Sequence, residues 1–265
     1  SKINSDISYF SSHNLIGYKE GTSKPDEYVI FMAHWDHLGI NDELVGDKIF
    51  NGAADNATGV AAVIELARKF DQVQTERSVI FTALTLEESG LLGSAYLAEN
   101  PPFDLANTVA GFNFDRVLPT GKTKDMTVIG YGASELEDYL EEELEKQGRY
   151  INPDPNPEKG YFYRSDHISF AKKGVPVLYS DDGFDLVEGG IEKGFNEIYD
   201  YTNFRYHRVN DEYDPSWNLE GFEQTIDTIF NISLNLSNSS EWPNWYEGNE
   251  FRAIRDAQIL SKNTP

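Results

Sequence analysis

The 265-residue chain contains no cysteine. Disulfides, thiolate nucleophiles and cysteine-held zinc are thereby excluded, so any metal site has to be built from His, Asp and Glu. Histidine is itself scarce, at five residues, and basic side chains are outnumbered: 22 Lys and Arg against 45 Asp and Glu, a formal charge of −23. Binding phosphates takes clustered cations that release counterions, so nucleic acid is not an expected partner. The acidity reads first as a solubility device, and second as a field that would draw in a cationic substrate. No stretch approaches the roughly 18 to 20 consecutive apolar residues of a membrane span. The opening SKINSDISYF has neither the basic start nor the apolar centre of a signal peptide, although a chain beginning with Ser leaves a removed leader or upstream domain open.

What is present suits a packed core: 39% of the residues are hydrophobic, and no break in composition asks for a second domain, so one domain over 1–265 is expected. Short apolar runs at 28–34 (YVIFMAH), 78–86 (SVIFTALTL), 108–115 (TVAGFNFD) and 175–180 (VPVLYS) predict buried strands. Helical periodicity falls between or after them. Residues 57–70 place apolar side chains at 60, 63, 64 and 67. Residues 134–148 carry Leu136, Leu140 and Leu144, with Ser134 as the expected N-cap, and 221–236 repeats the pattern. Alternating strands and helices predict an α/β fold with a largely parallel sheet covered on both faces. The Pro- and Asn-rich segment 151–167 reads as a long surface loop, and the tail 241–256, with Trp242 and Trp245, as a segment packed onto the body.

Polar residues gather where the predicted strands end. YVIFMAH ends in His34 with Asp36 just beyond, SVIFTALTL runs into Glu87 and Glu88, and TVAGFNFD stops at Asp115, while Asp55 sits in the small-residue turn NGAADNATG before a helix. Ligands of open α/β sheets bind at this carboxyl rim. Each acid taken singly reads as a cap or a solvated charge, but together they would resist ionising unless a cation neutralised them, which argues for metal. In extended chain His34 and Asp36 project to one face, so the Asp36 carboxylate could hold the second ring nitrogen of a metal-bound His34. Glu87 and Glu88 diverge, so one can bind metal while the other faces water as a general base. His37 projects to the opposite face and is expected to be structural.

The segments AHWDHLG, NGAADNATGVAAVIELAR, TLEESGLLGSAYL, NFDRV, RSDHISFAKKGVPVLY and YHRVNDEYD, in this order between residues 14 and 256, resemble the M28 family of co-catalytic zinc aminopeptidases. The resemblance implies a three-layer α/β fold with a mostly parallel mixed central sheet flanked by helices, and a catalytic domain without the protease-associated domain that similar bacterial members carry. It implies two zinc ions, with Mn²⁺ or Co²⁺ as substitutes. Asp55 would bridge them, His34 and Asp115 would complete one site, and Glu88 and His207 the other. Glu87 would be the base acting on the bridging water, Tyr206 an oxyanion donor, Asp36 the orienting partner of His34, and the Asp55–Asn56 peptide cis. Arg164, Asp166 and His167 would lie near the substrate, with pairing to a surface acid as the alternative for Arg164 and holding the loop in shape as the equal alternative for Asp166 and His167. Peptides with a free N-terminus are the implied partners, and a secreted or periplasmic location the implied address. Carboxypeptidase, dipeptidase or glutaminyl-cyclase-like action on the same scaffold, or a non-catalytic interaction domain, are the alternatives, and oligomeric state is not implied.

Overall fold

The computed structural model describes residues 8–262, so most of the opening SKINSDISYF lies outside it. Its strands are β1 (Leu15–Lys19), β2 (Lys24–His34), β3 (Gly39–Ile40), β4 (Ile49–Phe50), β5 (Arg77–Leu84), β6 (Thr108–Asn113), β7 (Asp125–Val128), β8 (Tyr150–Pro153) and β9 (Val177–Asp182). The helices are α1 (Thr58–Asp71), α2 (Leu92–Glu99), α3 (Leu136–Lys146), α4 (His167–Ala171), α5 (Gly190–Asp200), α6 (Glu220–Ser237) and α7 (Arg252–Lys262). Seven strands form one sheet in the order β1-β5-β2-β6-β9-β7-β8, and β3 pairs with β4 in a separate short ladder.

The four runs predicted as strands are β5, β2, β6 and β9, the contiguous parallel centre of the sheet. Their apolar character is continuous because helices cover both faces. Along β2, Val29, Phe31 and Ala33 enter the core shared with α1, α3 and α6, whereas Tyr28, Ile30 and Met32 enter the opposite core, which also takes Leu97 of α2 and Phe170 of α4. The sheet is mixed, since β1 and β7 run antiparallel to their neighbours β5 and β9. The family-implied architecture is therefore the observed one.

Local expectations need three corrections. The buried stripe of α1 is Ala62, Val63, Leu66 and Phe70, with Val60 and Ala67 partly buried against the same core and Ile64 49% exposed. Ser134 does not cap α3; the Glu137 carboxylate reaches back instead and accepts from the backbone N–H groups of Gly132, Ala133 and Ser134. Residues 151–153, at the start of the expected loop, pair as part of the edge strand β8.

The tail packs onto the body as expected. Trp245 is fully buried and donates from Nε1 to the Gly174 carbonyl at 3.2 Å. Arg255, also fully buried, donates to the carbonyls of Thr108, Val109 and Pro243, and its guanidinium lies 5.0 Å from the Trp242 ring. No helix among the described residues is long and apolar enough to cross a membrane.

Candidate metal centre

The carboxyl ends of three adjacent strands deliver the site. His34 is the last residue of β2, Glu87 and Glu88 lie in the turn after β5, and Asp115 follows β6 by two residues. Asp55 comes from the turn that starts α1, and His207 from the stretch after α5. The Asp55–Asn56 peptide is cis, as expected.

That turn is tied down from several directions. The Asn56 side chain donates to the Phe114 carbonyl at 2.8 Å and accepts from the N–H groups of Gly59 and Arg116, joining the start of α1 to the end of β6. A side chain at position 59 would meet Asn56 Oδ1 at 2.2 Å, so glycine is required for this cap. From the other side the buried Asp211 carboxylate accepts from the N–H groups of Ala54 at 2.9 Å and Asp55 at 3.0 Å. Asp211 escaped the sequence reading as a positioning residue, although it stands in the quoted segment YHRVNDEYD; its role depends on a loop fold that spacing does not reveal.

Five predicted ligands meet. His34 Nε2 lies 3.2 Å from Asp55 Oδ1 and 3.4 Å from Asp115 Oδ1. His207 Nε2 lies 3.3 Å from Asp55 Oδ2 and 3.2 Å from Glu88 Oε2. Asp55 thus turns one oxygen to each set. Donors held tetrahedrally about 2.0–2.2 Å from one zinc ion stand about 3.4 Å apart, so the spacing and the N/O donor chemistry both fit zinc.

His37 does not project to the opposite face but turns towards the cluster. Its donor atom lies within 4.8 Å of those of Asp55 and Glu88, and its Nδ1 is 2.8 Å from Glu88 Oε1 without the alignment of a hydrogen bond. Both ring nitrogens and that oxygen are buried and lack hydrogen-bond partners, a further sign of a cation-shaped deficit. Two imidazoles therefore border the second position. His207 reaches both carboxylates within 3.3 Å, while His37 approaches Glu88 at 2.8 Å and falls within 4.8 Å of the Asp55 and Glu88 donors. Gly52, at φ 62°, leaves room for this ring, since a Cβ there would meet His37 Cγ at 2.7 Å. Strand alternation failed for His37 because β2 ends at His34 and the chain turns.

For the same reason the orienting contact on His34 is not the Asp36 carboxylate. Nδ1 of His34 is 3.0 Å from the backbone carbonyl of Asp36 and 3.9 Å from Oδ1. The carboxylate instead accepts from the N–H groups of Glu87 at 3.0 Å and Glu88 at 3.3 Å, clamping the two glutamates.

Electrostatics follow from crowding. Burial, and then the neighbouring Asp115, push the Glu87 carboxyl up to about 9. Glu88, despite burial, is held at about 2 by the neighbouring imidazoles of His207 and His37. His207 rises to about 10 through Asp55 and Glu88, and His34 is raised well above its ordinary value by Asp115 and Asp55 against the opposing effect of burial.

A cavity of about 450 Å³ opens over the cluster. Glu87 and Tyr206 line it beside the donor sets. The Tyr206 ring stacks on His207 with centroids 3.9 Å apart, and burial together with Asp55 and Asp115 raises its hydroxyl, which therefore stays a donor. Arg164 also lines the cavity, its guanidinium 5.6 Å from the Tyr161 ring. Asp166 and His167 do not. They are 1% and 0% exposed, and the His167 ring packs between Phe162 and Tyr179 at 4.8 and 4.9 Å. Burial pushes His167 down to about 3 and Asp166 up to about 7. The expectation that these two meet substrate is corrected: the chain enters α4 at this point and turns them under the cavity wall.

Comparison with known proteins agrees with this geometry. Residues 14–233 match the model of peptidase family M28. A probable zinc metalloprotease of Pyrenophora tritici-repentis is 29% identical over 209 residues, 75% of this chain and 46% of that protein. Aminopeptidase YwaD of Bacillus subtilis is 30% identical over 109 residues, 40% of this chain and 22% of that one. Among solved structures, the aminopeptidase from Aneurinibacillus sp. strain AM-1 superposes with a TM-score of 0.62 at 23% identity, over 87% of this chain and 49% of that one, a likeness of fold. The chain spans half or less of the length of these relatives.

Proposed function

This chain belongs to peptidase family M28, and from that premise we propose that it is a two-zinc aminopeptidase that removes N-terminal residues from peptides. The observation that carries the reading is Asp55, whose two oxygens face two separate histidine–carboxylate sets. His34, Asp55 and Asp115 would hold one ion, and Asp55, Glu88 and His207 the other. Two ions so placed would polarise the scissile carbonyl and make water acidic enough to attack near neutral pH.

The remaining roles fall to the protein. The Asp36 carbonyl receives the Nδ1–H of His34, which turns the Nε2 lone pair towards Asp55 and Asp115. Glu87 stands beside both donor sets without belonging to either, takes the proton of the attacking water and passes it to the leaving amine. Tyr206 donates its O–H to the carbonyl oxygen as negative charge builds there. Tyr206→Phe is expected to lower kcat about a hundredfold, the effect of roughly 3 kcal/mol from one lost oxyanion donor, with zinc content unchanged. An unaltered kcat in steady-state assays removes Tyr206 from the chemistry.

The reaction itself is tested with zinc-loaded protein and aminoacyl p-nitroanilides, free or blocked at the N-terminus. Cleavage of the free-amine substrates alone is expected. Hydrolysis confined to substrates with a free carboxyl terminus would replace this reading with a carboxypeptidase.

A further inference from the structure

A second chamber, of about 100 Å³, lies beside the metal cavity and shares Arg116, Ile129, Tyr161, Asp181 and Thr202 with it. Arg116 directly follows Asp115, so the chamber begins one residue from a proposed ligand. Three acids wall it, Asp154, Asp181 and Asp182, none more than 9% exposed.

Two of the three acids are only partly satisfied. Arg116 Nη2 donates to Asp181 Oδ2 at 2.8 Å, Thr225 to Asp182 Oδ1 at 2.6 Å, and the Asn156 N–H to Asp154 Oδ1 at 2.8 Å. Asp181 Oδ1 and Asp182 Oδ2 are buried with no hydrogen-bond partner. The other cations nearby do not reach them. Lys159 sits 5.8 Å from the Tyr161 ring, and Arg149, whose charge acts on Asp182, donates to oxygens of Thr123, Asp125 and Thr228. Buried acceptors left without donors are destabilising, and a guest that brings N–H groups and positive charge would relieve them.

We propose that this chamber receives the side chain of the substrate's first residue and selects a cationic one, lysine or arginine, whose N–H groups face Asp181 and Asp182. The inference rests on the aminopeptidase reading: with the scissile bond at the metal cluster, the first residue has its α-ammonium and its side chain to house, while the rest of the peptide leaves through the larger cavity. Net charge acts in the same direction, since a protein at −23 draws cationic substrates inward.

The test compares Lys-, Arg-, Leu- and Glu-p-nitroanilide on zinc-loaded protein. Lysine or arginine is expected to exceed leucine in kcat/KM by about tenfold or more, with glutamate slowest. Asp181→Asn and Asp182→Asn are each expected to bring the Lys:Leu ratio towards one, and either variant suffices if the other fails to fold. A wild-type preference for leucine or glutamate, or an unchanged ratio in a folded variant, overturns the assignment. If none of the four is cleaved, the aminopeptidase reading fails, and calorimetric binding of L-lysine against L-norleucine judges the chamber by itself. Tighter lysine upholds it, and equal or tighter norleucine overturns it.

Discussion

Glu87→Ala is expected to lower kcat by about two to four orders of magnitude, the range for losing a positioned general base, while the protein keeps its full zinc content. The separation of the two readouts follows from the geometry. His34 and His207 contact Asp55, Asp115 and Glu88, and neither contacts Glu87 within ion-pair distance among the described residues. The backbone at Glu87 is held through its N–H by the Asp36 carboxylate, an anchor that survives truncation of the side chain. Steady-state kinetics beside metal analysis of the same preparation decides it. Turnover close to that of the parent removes Glu87 from the mechanism, and loss of zinc makes it a ligand instead of a base.

Asp55→Ala is expected to abolish binding at both metal positions, whereas Asp115→Ala, which touches only the His34 set, should spare the one at His207 and Glu88. Ligand binding stabilises a fold by RT ln(1 + [L]/Kd), about 2.7 kcal/mol at a hundredfold excess over Kd. The rise in melting temperature produced by zinc should therefore vanish in Asp55→Ala and persist, reduced, in Asp115→Ala. The fold of the Asp55 variant should survive, because Asn56 and Asp211 tie the turn through groups other than the Asp55 side chain. Two equivalents of zinc retained by Asp55→Ala would refute a shared carboxylate.

How much of this was legible depended on burial. The central strands β5, β2, β6 and β9 announce themselves because both their faces are covered and each carries a short run of mostly apolar residues. The outer strands β1, β7 and β8, of which β1 and β8 are the edges, are short and partly polar, as LIGYK, DMTV and YINP show, and give no continuous apolar run. His34, Glu88 and Asp115 were readable because they end apolar runs, whereas Asp55 lay in a turn and His207 came only from the family resemblance. The partners around them were not: strand alternation assigned the Asp36 carboxylate to His34 and turned His37 away, and both readings broke down where β2 ends.

The sequence by itself determined the chemistry available here. With no cysteine and with His34, Asp55, Glu87, Glu88, Asp115 and His207 in family order, it specified a carboxylate and imidazole centre on a parallel sheet. Only the tertiary structure decided which oxygen faces which nitrogen, that Asp166 and His167 lie under the wall and not in the cavity, and that Arg116 and Asp181 border a second chamber. Residue type and the alternation of strands and helices are local properties, written in the order of the chain. The direction of a side chain in a loop is set by contacts such as Asp211 with the Asp55 turn, across 156 positions, which no local pattern encodes.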